Sequence, residues 1–513
     1  MNIPCLGRGL CVLLGAALAG NLAAATCESL IKLVLPNATV TLAQTVATGT
    51  FSPPKGQPIH DLPSFCRVTG DIHPVAEESL IAFEVWIPSS GWNGKFYGIG
   101  NGGYAGSIGY GALAHAVRHG DAAASTDTGH TAASGEPNAS WALGHPQKII
   151  DFGYRAIHET AVKGKAIAAA FYGSAVQHAY FNSCSNGGRQ ALMEAQRYPE
   201  DYDGIVAGAP ANYWTHLLTE AMWDVQALSQ PGSYIPAAKL PAIADAVLAA
   251  CDALDGIKDG VIDDPSRCHF DVSTLLCKGA ESDACLTGPQ VEALRKLYAG
   301  PGPRIFPGHA MGGESGPGGW AAWVTGPAPG KSLGFEFGTQ FFKNMVFQDA
   351  AWDYHTFDLQ RDVKKADEKM AHDLNADDAD LKPFAHRGGK LILYHGWSDP
   401  AISPYNTIDY YNRVAARLKA KETASFVRLY MAPGMQHCGG GPGPNTFDMN
   451  QPIETWVEQG VPPGPIVATR PGRSRPLCPY PEVARWKGSG STDEAANFSC
   501  VLPESEGQKP RRK

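Results

Sequence analysis

The stretch from Tyr180 to Ala195 reads YFNSCSNGGRQALMEA. An apolar run turns through small residues and two glycines into a helix-forming segment, and Ser185 stands at the turn. A serine hydroxyl becomes a nucleophile only when a base takes its proton, and the base needs an acid to hold its ring in the right tautomer. The nucleophile elbow G-x-S-x-G meets the first need by lifting the serine out of a sheet on a tight strand-to-helix turn. Here the pattern is S-C-S-N-G, with Ser183 in place of the first glycine. Alone this is a weak signal, because a serine capping a helix N-terminus reads the same way. The partners strengthen it. GKLILYHGWSDP is an apolar strand followed by a loop with Asp399, and SFVRLYMAPGMQHC is a strand followed by a loop with His437. The chain order Ser185, Asp399, His437 is that of an α/β-hydrolase.

The cysteines tie these segments together. Of twelve, Cys5 and Cys11 fall in an N-terminal stretch that reads as a secretory leader, ending at Ala23-Ala24-Ala25, which leaves an even set of ten in an oxidising compartment. Closeness in sequence pairs Cys251 with Cys268, Cys277 with Cys285, and Cys478 with Cys500. Cys184 adjoins the candidate nucleophile and Cys438 the candidate base, so a bond between them would staple the two loops, and Cys27 with Cys66 completes five bridges. Catalytic geometry tolerates only about 0.5 Å of error, which gives such a staple a physical use beyond stability.

The joined C-S, D and H-C elements resemble the motif of the tannase and feruloyl esterase family, which also includes terephthalate monoester hydrolases. The resemblance extends over most of the mature chain, through STDTGH, IDFGYRAIHE, CSNGGRQALMEAQRYPEDYDGIVAGAPA and GPAPGKSLGFEFGTQFF. It implies an aromatic ester as substrate, where the residues alone imply a serine hydrolase.

Acyl transfer also requires donors for the developing oxyanion. In this fold they are the N–H after the nucleophile, here Asn186, and one from an early loop. The glycine-rich FYGIGNGGYAG offers Gly102 or Gly103, and the sequence leaves that choice open. Between Cys251 and Cys268, DALDGIKDGVIDDPSR crowds Asp252, Asp255 and Asp259 into a glycine-containing loop. Such hard oxygen donors suit Ca²⁺, although the spacing is not that of an EF-hand. The resemblance implies a structural Ca²⁺ held by these three aspartates and the carbonyls of Ile257 and Val261.

The elements that must position these residues follow from the spacing. The expected fold class is α/β: a leader over 1–25, a hydrolase domain from 26–214 and 388–513, and a large inserted lid domain over 215–387 that carries the acidic loop. The stretch Trp320 to Phe357 is dense in aromatics, suited either to a pocket for planar rings or to the core of the lid. A net charge of −8 and pI near 6.1 give no reason to expect nucleic acid, and no later apolar run approaches the roughly 20 residues of a membrane span. Asn37, Asn138 and Asn497 begin glycosylation sequons, relevant only in a eukaryotic secretory pathway, and the terminal KPRRK reads as a tail.

The expected protein is a secreted or periplasmic serine carboxylesterase acting on feruloyl-type phenolic esters, with Ca²⁺ and no organic cofactor, and with galloyl esters or a terephthalate monoester as alternative substrates. An inactive binding protein on the same fold and a metal-dependent hydrolase using the aspartates are the rivals from other classes.

Overall fold

The computed structural model describes residues 25–503 apart from 77 and 134. The leader, but for its last residue, and the KPRRK tail lie outside the described residues.

Nine strands form the central sheet: β1 (Ala38–Val46), β2 (Phe65–Ile72), β3 (Ile81–Pro88), β4 (Lys95–Ile99), β5 (Ala122–Thr126), β6 (His178–Cys184), β7 (Gly204–Gly208), β8 (Lys390–Gly396) and β9 (Val427–Ala432). Their spatial order is β1-β2-β3-β5-β4-β6-β7-β8-β9. The first three strands and β5 pair antiparallel, and from β5 onward every pairing is parallel. Parallel strands leave the sheet at one edge, so the loops after β6, β8 and β9 all emerge on the same side. The register makes this concrete: Cys184 is opposite Gly208, Gly208 opposite Tyr394, and Tyr394 opposite Tyr430.

A parallel sheet must be covered on both faces, and alternate residues show it. Phe181, Ile205 and Leu393 pack on one face with Ala191, Leu192 and Tyr410. Tyr180, Val206 and Ile392 pack on the other with Leu113, Ile453 and Trp456. The helices responsible are α1 (Tyr110–Arg118), α2 (Ala156–Tyr172), α3 (Asn186–Arg197), α6 (Pro404–Leu418) and α7 (Asn450–Gln459), introduced here with α4 (Trp214–Leu228) and α5 (Leu333–Phe341) of the inserted segment. This is the α/β-hydrolase architecture.

Between β7 and β8 the described chain contributes no strand to the sheet. Helix α4 crosses the predicted boundary at residue 215. Two further apolar clusters stabilise this region. One joins Trp214, Phe337, Phe341 and Phe342 to Tyr104 and Phe152, and the other surrounds Ile243, Val247, Leu294 and Trp320. The aromatics of 320–357 therefore serve mainly as core; Trp323 and Phe337 also face the pocket described below. Five disulfides pair as the sequence predicts.

Candidate active site

Ser185 sits between the end of β6 and the start of α3 with φ 68° and ψ −127°, a conformation that strains a residue bearing a Cβ. Its N–H donates to Gly208 O at 2.9 Å, and its own carbonyl accepts from Arg189 N and Ala211 N, both at 3.1 Å. The turn is this tight because Gly187 and Gly188 lack side chains. A Cβ on Gly187 would stand 1.9 Å from Ser183 Oγ, and one on Gly188 would stand 2.3 Å from Gly208 O. Ser183 can replace the first glycine of the elbow because its hydroxyl packs toward Gly187 and Gly100, neither of which offers a clash.

His437 follows β9 and Asp399 follows β8. His437 Nδ1 donates to Asp399 Oδ2 at 2.8 Å, which leaves Nε2 as the acceptor for Ser185 Oγ, also at 2.8 Å. Asp399 is buried, and burial is the strongest influence on its carboxyl, working to raise it. The charge of His437 and hydrogen bonds from His395 and His437 outweigh burial and hold it well below the usual carboxylate range. Its other oxygen accepts from the backbone of Ala401 at 2.8 Å and Ile402 at 3.0 Å. His395, which sequence reading passed over, donates from Nε2 to Asp399 Oδ2 at 3.1 Å and accepts the Thr407 hydroxyl on Nδ1 at 2.7 Å.

Cys184 and Cys438 are bonded with their Cα atoms 6.0 Å apart, across 254 positions of sequence. Cys438 has φ 57°, so one partner of the Ser185–His437 contact is itself in a positive-φ conformation and the other is followed by a residue in one. The covalent link joins the two loops that carry Ser185 and His437.

These groups border a cavity of about 340 Å³. Its walls are apolar: Trp214, Leu217, Leu218 and Ala221 from α4, Leu333 and Phe337 from α5, with Trp323, Ala401 and Ile402. Trp323 meets the His437 ring edge-on at 5.2 Å and stacks on Phe337 at 6.0 Å, so the inserted segment touches the base directly. Asn186, Gly102 and Gly103 also line the cavity, at the end where Ser185 stands. The arrangement can deliver a hydroxyl to a carbonyl carbon and pass its proton to an imidazole.

The acidic loop behaves differently from its sequence pattern. Asp252 accepts the N–H groups of Asp259 and Gly260, Asp255 accepts that of Ile257, and Asp259 is paired with Arg475 at 2.5 Å. Each predicted carboxylate is engaged by the chain's own donors. Ile257 and Val261 are buried. Asp263, absent from the sequence reading, is buried beside Asp255 with Oδ1 unpartnered. That orphaned oxygen is a hard donor suited to a cation, for which the pairings of Asp259 with Arg475 and Arg473 would have to yield.

A second cluster also escaped the sequence. Glu220 and Asp224, one turn apart on α4, meet His309 in full burial, with His309 Nε2 donating to Asp224 at 2.6 Å.

Comparison with known proteins agrees with this geometry. The family model described as tannase and feruloyl esterase matches residues 66–501. The chain is 43% identical to an uncharacterised esterase of Xanthomonas campestris pv. campestris, over 95% of this chain and 93% of that one. It is 36% identical to the mono(2-hydroxyethyl) terephthalate hydrolase of Piscinibacter sakaiensis, over 70% and 69%. The crystal structure of feruloyl esterase B from Aspergillus oryzae superposes with a TM-score of 0.84 at 30% identity, covering 93% of this chain and 99% of that one. A serine hydroxyl bonded to a carboxylate-held imidazole, in a chain matched by this family across nearly its whole described length, makes the protein an ester hydrolase of the tannase and feruloyl esterase family.

Proposed function

We propose that the chain is an exported serine carboxylesterase that cleaves feruloyl-type esters of phenolic acids. The observation that carries the reading is the Ser185–His437–Asp399 line of hydrogen bonds at the head of an apolar cavity. Ser185 Oγ attacks the ester carbonyl carbon as His437 Nε2 takes its proton. The tetrahedral oxyanion is received by the N–H of Asn186 and of a glycine in the 102–103 turn, and His437 returns the proton to the departing alcohol. Water, deprotonated by His437, attacks the acyl-enzyme and releases the acid. Asp399 stays ionised throughout, orienting the imidazole and stabilising it when it is protonated.

Substrate choice follows from the walls. Among the described lining residues there is no arginine or lysine. A terephthalate monoester would bury a carboxylate without a partner, and a galloyl ring would bury three hydroxyls, whereas a feruloyl ring brings one hydroxyl and one methoxy group. The test is kcat/KM for methyl ferulate, methyl gallate and a terephthalate monoester. Methyl ferulate is expected to lead, and a leading terephthalate monoester would overturn the assignment.

Export is supported by the leader pattern and five disulfides, and no helix among the described residues is long and apolar enough to cross a membrane. For the acidic loop the proposal is a structural Ca²⁺ held by Asp252, Asp255 and Asp259 with the carbonyls of Ile257 and Val261, joined by Asp263. The ion would neutralise crowded carboxylates and brace the loop closed by Cys251–Cys268. Chelation should lower the Tm while leaving initial rates below the transition within about twofold, because a ligand of the native state stabilises by mass action. Metal analysis that finds no calcium in protein purified without chelator would remove the ion.

A further inference from the structure

Arg189 is fully buried on α3, three residues after Asn186, and every partner it has is a neutral oxygen. Nε donates to Asn186 Oδ1 at 2.8 Å. Nη1 donates to Gly153 O at 2.8 Å and Leu374 O at 3.3 Å, and Nη2 to Phe152 O at 3.0 Å. The guanidinium lies over the rings of Phe152 and Trp214, 4.7 and 5.1 Å from their centroids. Burial works against its charge and pulls the group down to about 9, a penalty that the fixed oxygens and ring faces offset.

A guanidinium has no acceptor, so the side of the Asn186 amide turned toward it must be oxygen. The amide nitrogen is thereby turned away, and it donates to the carbonyl of Asn101 at 3.1 Å. Gln190, one turn along α3, holds the same loop residue from another side: it accepts from Asn101 N at 2.9 Å and donates to Asn101 Oδ1 at 3.2 Å. The peptide joining Asn101 to Gly102 is planar and trans, so its N–H points opposite to its C=O. Fixing the Asn101 carbonyl on Asn186 fixes the direction of the Gly102 N–H. Gly102 faces open cavity, since a Cβ there would meet nothing within 4 Å, whereas one on Gly103 would stand 3.0 Å from Gly135 Cα.

The geometry points to Arg189 as a positioning residue for the oxyanion hole: acting through the Asn186 side chain, it locks the peptide that carries the Gly102 N–H to the residue that carries the other donor, and so selects Gly102 over Gly103. This rests on the serine-esterase reading above. Asn186 presents one donor from its backbone and holds the second donor's peptide with its side chain, so the two N–H groups keep their spacing as one unit.

The test uses the full-length enzyme, p-nitrophenyl acetate as substrate, and Asn186→Ala, Arg189→Met and the double variant, each checked by thermal melting. Asn186→Ala keeps the backbone N–H and the three carbonyl partners of Arg189 but cuts the relay. Its kcat should fall on the order of 10 to 100-fold with KM within about twofold, because a donor is misaimed rather than deleted. Affinity for phenylboronic acid, which forms a tetrahedral adduct on serine, should fall in parallel. The double variant should lose no more than about twofold beyond the worse single, since both residues act along one arm. A folded Asn186→Ala enzyme with wild-type kcat and wild-type boronic acid affinity overturns the relay, and so does a double variant whose loss is the product of the singles. If Arg189→Met does not fold, Asn186→Ala decides alone. Ser185→Ala, run alongside, separates the two readings: retained turnover there sinks the serine mechanism, while an inactive Ser185→Ala beside a fully active Asn186→Ala sinks only the relay.

Discussion

His437 and His309 each face a buried carboxylate, Asp399 at 2.8 Å and Asp224 at 2.6 Å, yet the two groups hold charge in opposite ways. Asp399 receives two backbone N–H groups and two imidazoles, and its carboxyl is held down. Glu220, beside Asp224, has no hydrogen-bond partner for Oε1, and burial followed by the charge of Asp224 pushes its carboxyl up to about 8. Burial also opposes the charge of His309, but Asp224 and Glu220 together carry it up to about 9. The residue types are nearly the same in both places. What differs is the supply of donors: a loop after β8 turns its N–H groups onto Asp399, while α4 spends its own N–H groups inside the helix and has none for Glu220. An ionised acid held on Nδ1 leaves Nε2 of the imidazole free to take a proton from Ser185. A protonated acid beside a cationic imidazole has no such use.

The largest expected effects come from breaking the first group. Ser185→Ala should abolish measurable turnover in a folded protein, and Asp399→Asn should lower kcat by about 10⁴-fold, because the neutral amide admits the wrong imidazole tautomer. Glu220→Gln is the matched change in the second group and should leave kcat within about twofold. Steady-state rates on one ester decide the matter: comparable losses in Asp399→Asn and Glu220→Gln would erase the distinction.

The next effect concerns what holds the first group together. His309 and its acids all belong to the inserted segment, but the Ser185–His437 contact joins two strained loops bridged by Cys184–Cys438. On the chain-entropy model a loop of this size contributes roughly 5 to 6 kcal/mol of stability. If stability were its whole role, the Cys184→Ala, Cys438→Ala double variant would be less stable but equally active per folded molecule. A staple predicts more: at a temperature where the variant is folded, kcat should drop on the order of 100-fold, the effect of a misplacement of about 1 Å. Active-site titration gives the folded denominator, and a wild-type kcat would assign the bridge to stability alone.

The smallest effect is a pH slope. Glu220 binds its proton more tightly folded, at about 8, than at its ordinary 4.5, so between those values the native state holds more protons and stability falls as pH rises. His309, raised from 6.5 to about 9, adds the same sign between those two values. Glu220→Gln removes the first contribution. Urea unfolding at pH 5, 6, 7 and 8 should show its stability falling less steeply than wild type, by on the order of 1 kcal/mol per pH unit at most. Parallel wild-type and variant curves would mean that Glu220 is ionised in the fold.

Much of this site is legible in the sequence. Ser185, Asp399 and His437 each follow an apolar strand, and strand, turn and helix are written in local residue choice: short apolar runs, paired glycines at 187 and 188, a helix former run behind them. The order of the three residues pointed to an α/β-hydrolase, and the parallel strands of that fold bring their loops to one edge. Closeness in sequence gave three of the disulfides, and adjacency to the two partners of one contact gave Cys184–Cys438, which left Cys27 for Cys66. Tertiary structure alone decided the rest. Asp263 joins the acidic loop only because the chain folds back into a buried position beside Asp255, and Asp224 and His309, 85 positions apart, meet only through the packing of the inserted segment. Which aromatics line the cavity was equally unreadable, since Phe337 does and Phe341, one turn further along the same face of α5, does not, a difference set by where the helix passes the cavity and not by residue type. Arg189 looked like an ordinary helix residue. Its role depends on the carbonyls of Phe152, Gly153 and Leu374 arriving around it, and such convergence is set by long-range packing that no local pattern encodes.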